Sequence, residues 1–521
     1  MPGICLNEDN AHFYATHPAE DMTAAGVCAL VDYYADFPGV QALFLCANVQ
    51  RALFASKAWE RLYDGYDPEG GPDQPVLRWL TDPRDRELTR GSQGRYWLHN
   101  LWLLEQRGVD HPAVWLQRCR ERDREGWLSV RMNDCHYNDL PEAFWHSTFW
   151  RQHPQYYRAA YRQERGWERA LDYAQPAVRV HHLALIRELL SRYDLYGIEL
   201  DWMRWGLHLR PGQEEAGRLA LTDFTRQVRA LARRAAQRLG HAVYVGARIP
   251  ARPEEALALG YDVRTWAEQH LIDQLVLSSF CSGLYYNYPI ERWRRILGLW
   301  RGTLAVCLDA GYTAYPGAPA QPAPVEMLCG AAASAYQRGA DRVYLFNVCY
   351  SETDDRPYLN EVLSRLAEPH TVTTGRRRQV ITYAQTVPPG ARSGAVLPLP
   401  LINPTPGAGW ARLDAFATLR FPLGPRPQTG RAWLRLGLSA DSPKLTARQF
   451  RVWCNTVPCS PASRAPRPGP THDPVARLLT WEIPLSALQD DVNVVEFLPP
   501  QVEGAVVWAE ISLDPQAPER P

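Results

Sequence analysis

The chain has no surplus of either charge: 57 basic and 57 acidic residues cancel over 521 positions, so it lacks the electrostatic footprint of a protein that binds nucleic acid or an anionic membrane surface. It has no run of about 18 apolar residues, and its opening Met1-Pro2-Gly3-Ile4-Cys5-Leu6-Asn7-Glu8-Asp9 carries neither the basic patch nor the apolar stretch of a secretory signal. The 11 cysteines form no Cys-x-x-Cys pair, and several, such as Cys46, Cys281 and Cys307, sit inside apolar strand-like runs. Their odd number and expected burial predict free thiols in a reducing compartment, although Cys454 and Cys459 are spaced closely enough to bridge. A cytoplasmic location is the expectation, with a secreted form whose signal has been removed as the alternative. No glycine-rich phosphate loop opens a helix and no Gly-x-Ser-x-Gly elbow occurs, which leaves phosphoryl transfer and serine hydrolysis without support. No His-x-His follows the first strand, and no second histidine cluster accompanies Asp134 and His136, so no metal or other cofactor is expected.

What is present is aromatic and apolar: 46% hydrophobic residues, 19 tryptophans and 25 tyrosines, enough for a large core and for flat faces of the kind that stack on sugar rings. Up to about residue 350, short apolar runs alternate with segments of helical period, the pattern of a parallel sheet wrapped by helices. Eight strands are predicted: Ile4 to Leu6, Gln41 to Cys46, Trp127 to Met132, Gly197 to Trp202, Val243 to Ile249, Gln274 to Phe280, Leu304 to Leu308 and Arg342 to Phe346. Between the fourth and fifth, Leu221, Phe224, Val228, Leu231 and Ala235 recur at helical spacing, with Gly240 placed to end the helix. Leu183, Ile186 and Leu190 do the same before the fourth. Beyond about residue 370 the texture changes. More than half of the 43 prolines lie there, helical periodicity stops, and alternating runs such as Ala432 to Leu438 and Val492 to Phe497 appear. Residues 1–368 are therefore expected to form a (β/α)8 TIM barrel and residues 369–521 an all-β sandwich, with the proline-rich stretch from Ser460 to Pro474 as a long loop.

The fourth strand holds the functional signal. In Tyr196-Gly197-Ile198-Glu199-Leu200-Asp201-Trp202-Met203-Arg204, Ile198 and Leu200 point to one face while Glu199 and Asp201, about 7 Å apart along the chain, point to the other. Active sites of such barrels form at the C-terminal ends of the strands. The polar residues gathered there are Asn7, Glu8, Asp9, Asn10 and His12 after strand one, Asn133, Asp134 and His136 after strand three, Arg204 after strand four, Arg248 on strand five, Asp309 and Tyr312 at strand seven, and Asn347 and Glu352 after strand eight. Alternation turns Arg131, Glu199 and Arg248 inward on consecutive strands. An isolated ion inside a barrel costs several kcal/mol, so Glu199 is expected to pair with Arg131 or Arg248. Asp201, one inward position nearer the mouth, is expected to reach solvent and substrate.

The stretch from Gly197 to Arg204, with Arg131-Met132-Asn133-Asp134-Cys135-His136 and the opening Leu6-Asn7-Glu8-Asp9-Asn10, resembles the broad group of glycoside-hydrolase-like barrels of environmental bacteria described as family 10 glycosylhydrolases. The resemblance covers roughly residues 1 to 365, and the tail is similar to the accessory β-sandwiches that follow such barrels. It implies a glycosidase in which two carboxylates flank the scissile bond, acting on a poly- or oligosaccharide. The chain departs from the pattern in which glutamates end strands four and seven, since strand seven ends in Asp309. Asp201 is then the expected nucleophile or base and Asp309 its partner acid, with Glu199, Asp134 and Glu352 as alternates. Asn7, Asp9, Asn133, Asp134, His136, Arg204 and Arg248 are expected to bind sugar hydroxyls, and Trp202, Trp205, Tyr285 and Tyr312 to offer stacking faces. A barrel that binds carbohydrate without cleaving it is the alternative. A metal-dependent hydrolase is the third reading, and it would require Asp134 and His136 to converge with Asp9.

Overall fold

The computed structural model describes residues 2–280, 283–384, 395–402, 417–462, 471, 475–500 and 502–515. Cys281 and most of the stretch from Ser460 to Pro474 lie outside them. Eight parallel strands close into a barrel in sequence order: β1 (Ile4–Glu8), β2 (Val40–Cys46), β3 (Glu125–Arg131), β4 (Gly197–Asp201), β5 (Tyr244–Pro250), β6 (Gln274–Ser278), β7 (Thr303–Asp309) and β8 (Arg342–Phe346), which returns to β1. All eight predicted strands are present, with ends displaced by at most two residues.

The helices form because their apolar residues repeat at the helical period and bury one side against the sheet. In the helix Glu214–Leu239, Leu221, Phe224, Val228, Leu231 and Ala235 are buried, and Gly240 ends it in the left-handed conformation at φ 78° with its N–H on the Ala236 carbonyl. The helix Pro176–Arg192 buries Leu183, Ile186 and Leu190 in the same way. Inside the barrel, Cys5, Ala42, Phe44, Trp127, Val276, Ala305, Cys307, Tyr344 and Phe346 make a separate apolar cluster. Every one lies on an alternate, inward position of its strand. The Trp127 ring takes up the room beneath β4, where a side chain at Gly197 would meet it at 2.4 Å.

Beyond the helix Pro369–Thr374 the regular structure of the described residues is β-strand, apart from single 3-10 turns at Ala447–Gln449 and Leu485–Ala487. One antiparallel sheet orders β9 (Arg377–Val380), β15 (Ala505–Asp514), β11 (Arg431–Leu438), β13 (Arg477–Ile483) and Ser460–Pro461, with Leu399–Pro400 also on β15. The other orders β10 (Ala417–Pro422), β14 (Val492–Leu498), β12 (Arg451–Cys454) and Val457–Pro458. Leu419, Phe421, Leu434, Leu436, Val452, Trp481, Val495, Phe497 and Ile511 fill the space between the two sheets. Cys454 and Cys459 are both free thiols. The sandwich is seated on the barrel through the helix Val325–Gln337: Gln379 Nε2 donates to the Gly330 carbonyl at 3.0 Å. Gly330 permits this approach, since a Cβ there would stand 2.1 Å from the Arg378 carbonyl oxygen. Among the described residues, no helix is long and apolar enough to cross a membrane.

Candidate active site

Strand register decides how the inward charges meet. Arg131 on β3 and Arg248 on β5 are both level with Asp201, whereas Glu199 is level with Ser129 and Gly246, one inward step deeper. Arg248 accordingly forks onto Asp201, with Nε 2.9 Å from Oδ1 and Nη2 3.0 Å from Oδ2. Oδ1 of Asp201 also accepts the backbone N–H of Met203 and of Arg204, each at 3.1 Å. The carboxylate is buried and fixes the turn by which the chain leaves β4. This corrects the expectation that Asp201 stands open to solvent. The guanidinium of Arg248 also lies over the Phe346 ring, 4.1 Å from its centroid.

Glu199 pairs with neither arginine, contrary to expectation, because the register gives Arg248 to Asp201 and the end of β3 carries Arg131 up to Asp9 and Asp134. Its Oε1 accepts from Ser129 Oγ at 2.8 Å and from Tyr344 Oη at 2.9 Å, and its Oε2 has no hydrogen-bond partner. Burial, reinforced by the nearby Asp201 charge, pushes the Glu199 carboxyl from an ordinary 4.5 up to about 7. An ordinary glutamate is ionised at neutral pH, so the burial of Glu199 leaves a substantial protonated fraction there. Asn7 joins this layer by donating from Nδ2 to Tyr344 Oη at 3.1 Å.

A second network occupies the rim. Arg131 bridges Asp9 and Asp134, its Nη1 lying 2.8 Å from Asp134 Oδ2. Asp134 Oδ1 holds His136 Nδ1 at 2.6 Å, and His136 Nε2 meets Arg204 Nη2 at 2.7 Å. Tyr350 Oη donates to Asp9 Oδ2 at 3.1 Å. Burial favours the neutral forms of Asp9 and Asp134. Arg131 and Arg204 outweigh it at Asp9, as His136 and Arg131 do at Asp134, so both carboxyls are held below their usual range. Asp9 and Asp134 each pair with the Arg131 guanidinium, which supplies the positive charge there, and among the described residues Asp9, Asp134 and His136 do not converge closely enough to share an ion, as the metal-hydrolase reading requires. Asp309 ends β7 on the inward register, buried, with Oδ1 accepting from the Gly311 N–H at 3.0 Å.

The structure thus brings together Asp9, Asp134, His136 and Arg204 in one network, Asp201 with Arg248 in a second, and Glu199 with Asn7 in a third. Three expected binding residues lie elsewhere. Trp202 is the outward neighbour of Asp201, and its ring is buried against Tyr173, His208, Phe224 and Tyr261. Tyr312 sits in a short hairpin that carries it to the sandwich, where it packs edge-on to Trp508 at 5.8 Å. Asn133 is occupied in holding the loop after β3, exchanging hydrogen bonds with the backbone of Leu171 and meeting His208 Nδ1. Ser129, Tyr344, Tyr350 and Phe346 were missed. The alternation along β8 already turns Tyr344 and Phe346 inward, and that signal was legible. At the opposite, N-terminal end of the barrel a cleft of about 360 Å³ opens beside Trp127, Tyr244, Gln274 and Trp300, where Arg342 pairs with Glu125.

No protein-family model matches the sequence, and no curated protein matches it. The fold has solved neighbours among glycoside hydrolases. An alpha-L-fucosidase isoenzyme 2 from Paenibacillus thiaminolyticus aligns at 11% identity and TM-score 0.41 over 70% of this chain and 49% of that one, so the chain spans about half of that neighbour's length. The PgaB (BpsB) glycoside hydrolase domain from Bordetella bronchiseptica aligns at 14% identity and TM-score 0.38, covering 71% of this chain and 99% of that one. A GH36 alpha-galactosidase, AgaA, from Geobacillus stearothermophilus aligns at 12% identity and TM-score 0.36, covering 97% of this chain and 56% of that one.

Proposed function

We propose that the protein is a glycoside hydrolase that cleaves a poly- or oligosaccharide at the C-terminal face of its barrel. The reading rests chiefly on β4: its two inward carboxylates, one step apart, are placed in opposite environments. Asp201 is ion-paired with Arg248, while Glu199 has its carboxyl pushed up to about 7 and one oxygen unpartnered. Glycosidic cleavage uses one ionised and one protonated carboxyl around an oxocarbenium-like transition state, and an arginine-paired carboxylate beside a carboxyl of raised proton affinity suits that division. Asp201 takes the ionised role, as nucleophile or as base for water. Asp309 and Glu199 are the two candidate acids: Asp309 lies at the rim on β7, and the Glu199 carboxyl is pushed up to about 7 by burial. Asp9, Asp134, His136 and Arg204 form the polar rim that would bind sugar hydroxyls.

The test is a panel of plant, algal and bacterial polysaccharides and their oligomers, followed by Asp201→Asn, Asp309→Asn and Glu199→Gln on any substrate that the parent cleaves. The reading expects release of reducing ends from at least one substrate, and near-complete loss in Asp201→Asn and in one of the other two. Absence of turnover across the panel, or an unimpaired Asp201→Asn, would overturn it. One observation favours a barrel that binds sugar without cleaving it: Arg248 engages both oxygens of Asp201. Saturable binding of an oligosaccharide that the parent leaves intact would select that alternative.

A further inference from the structure

Between the loop that follows β1 and the segment that follows β8, two histidines and a glutamate converge. Neither histidine enters the mechanism proposed above. His12 Nδ1 is held by Glu8 Oε1 at 2.7 Å, and His17 Nδ1 faces Asp21 Oδ2 at 3.4 Å. Each ring therefore presents Nε2, and both point at the same oxygen: Glu352 Oε2 lies 3.0 Å from His17 Nε2 and 3.9 Å from His12 Nε2. The three atoms fall within 4.8 Å of one another. His12 is fully buried, yet its Nε2 has no hydrogen-bond partner.

Two ligand atoms about 2.1 Å from a tetrahedral ion stand about 3.4 Å apart, a separation that the observed 3.0 and 3.9 Å bracket. Carboxylates on the far nitrogens of ligating histidines are the usual outer supports of such a site, fixing the ring orientation. Glu352 has one oxygen turned to the histidines. Arg356 engages the other oxygen, Oε1, and leaves Oε2 to the histidines. The adjoining group of Glu8, His12 and Cys349 is a weaker set: Glu8 Oε1 is already shared by His12 Nδ1 and the Phe13 N–H, and burial drives the Cys349 thiol far above its ordinary value.

We propose that His12, His17 and Glu352 form a binding site for a divalent transition-metal ion of the zinc class, held by two Nε2 atoms and one carboxylate oxygen. A three-ligand set leaves a coordination position for water or another oxygen ligand. The His17 side chain, 15% exposed, is the edge of the site nearest solvent. The ion would fasten the first strand of the barrel to the last. The proposal is independent of glycosidase activity.

The experiment uses the full-length protein, stripped with a chelator and titrated with ZnCl2 by calorimetry, with Co(II) as the spectroscopic probe. We expect one equivalent of Zn(II) bound with a Kd below about 10 µM and visible Co(II) bands of tetrahedral intensity. His17→Ala and Glu352→Gln should each weaken binding at least tenfold, and His241→Ala at the far end of the barrel should not. Should Glu352→Gln unfold, His17→Ala decides alone, because His17 is at the edge of the packing. Binding weaker than about 100 µM, or an affinity unchanged by His17→Ala, overturns the proposal.

Discussion

The barrel mouth and the seam between barrel and sandwich both bury arginines with carboxylates, and they treat the carboxylates differently. At the seam, Glu510 is fully buried between Arg378 and Arg435. Its Oε1 meets Arg435 Nη1 at 2.9 Å, and its Oε2 takes Arg378 Nε at 3.0 Å and Trp508 Nε1 at 3.2 Å. Both oxygens are satisfied by fixed donors. At the mouth, Asp201 is matched just as fully by Arg248, yet Glu199 directly beneath it has its carboxyl pushed up to about 7 by burial and keeps one oxygen unpartnered. A buried ion cluster with every oxygen satisfied can do little but hold its geometry, whereas one with a spare proton and a spare lone pair retains material for chemistry.

The comparison breaks most decisively at Asp201. On a substrate that the parent cleaves, Asp201→Asn is expected to lower turnover by at least about a thousandfold, near 4 kcal/mol of transition-state stabilisation. It should also unsettle the fold, because Arg248 is left buried without its counter-charge, a loss of about 3–5 kcal/mol. Steady-state kinetics and denaturant titration on one preparation measure both. Activity lost with no change in midpoint would mean that the Arg248 pairing does not support β4. Glu510→Gln should show the stability half alone: about 3–5 kcal/mol lost in the same titration, with the remaining folded protein turning over within about twofold of the parent. A large fall in kcat would show that the seam reaches the mouth and erase the distinction.

Glu199 sharpens the contrast through pH. Its folded value, about 7, lies above the 4.5 of an ordinary glutamate. The folded state therefore holds the proton more tightly. Its contribution to stability is undiminished below about 4.5, falls as pH rises towards 7, and is lost above that. Glu199→Gln should flatten the stability profile across this window and leave the protein at least as stable as the parent at pH 8. A variant that keeps the parent's slope would assign the titration to another group. The smallest effect is expected at Tyr312, whose ring serves the seam: Tyr312→Phe should leave turnover within about twofold, and a tenfold rise in KM would return it to the substrate surface.

Alternation along β4, β5 and β8 is a property of single strands, so the sequence reveals which side chains enter the barrel. It does not reveal the stagger between neighbouring strands. Hence the sequence pairs Glu199 with Arg131 or Arg248, whereas the register sets both level with Asp201, where Arg248 pairs with it and Arg131 reaches Asp9 and Asp134 instead. Trp202 shows the converse error, since the same alternation that turns Asp201 inward turns the next residue out into the helices, where its ring is buried. His17 and Glu352 are 335 residues apart, and only closure of β8 onto β1 brings them together. No local spacing rule anticipates that contact.

The order of the strands in the outer sheet has a consequence for biosynthesis. The barrel needs nothing beyond Phe346 to close its ring, whereas β15, Ala505–Asp514, lies inside the six-stranded sheet and pairs with β9, β11 and Leu399–Pro400. Until that strand leaves the ribosome the sheet has no middle. At about 5–20 residues per second, the roughly 170 residues in between take on the order of ten to thirty seconds to emerge. Over that interval the helix Val325–Gln337 presents to solvent or to a chaperone the apolar surface that β9 will later cover.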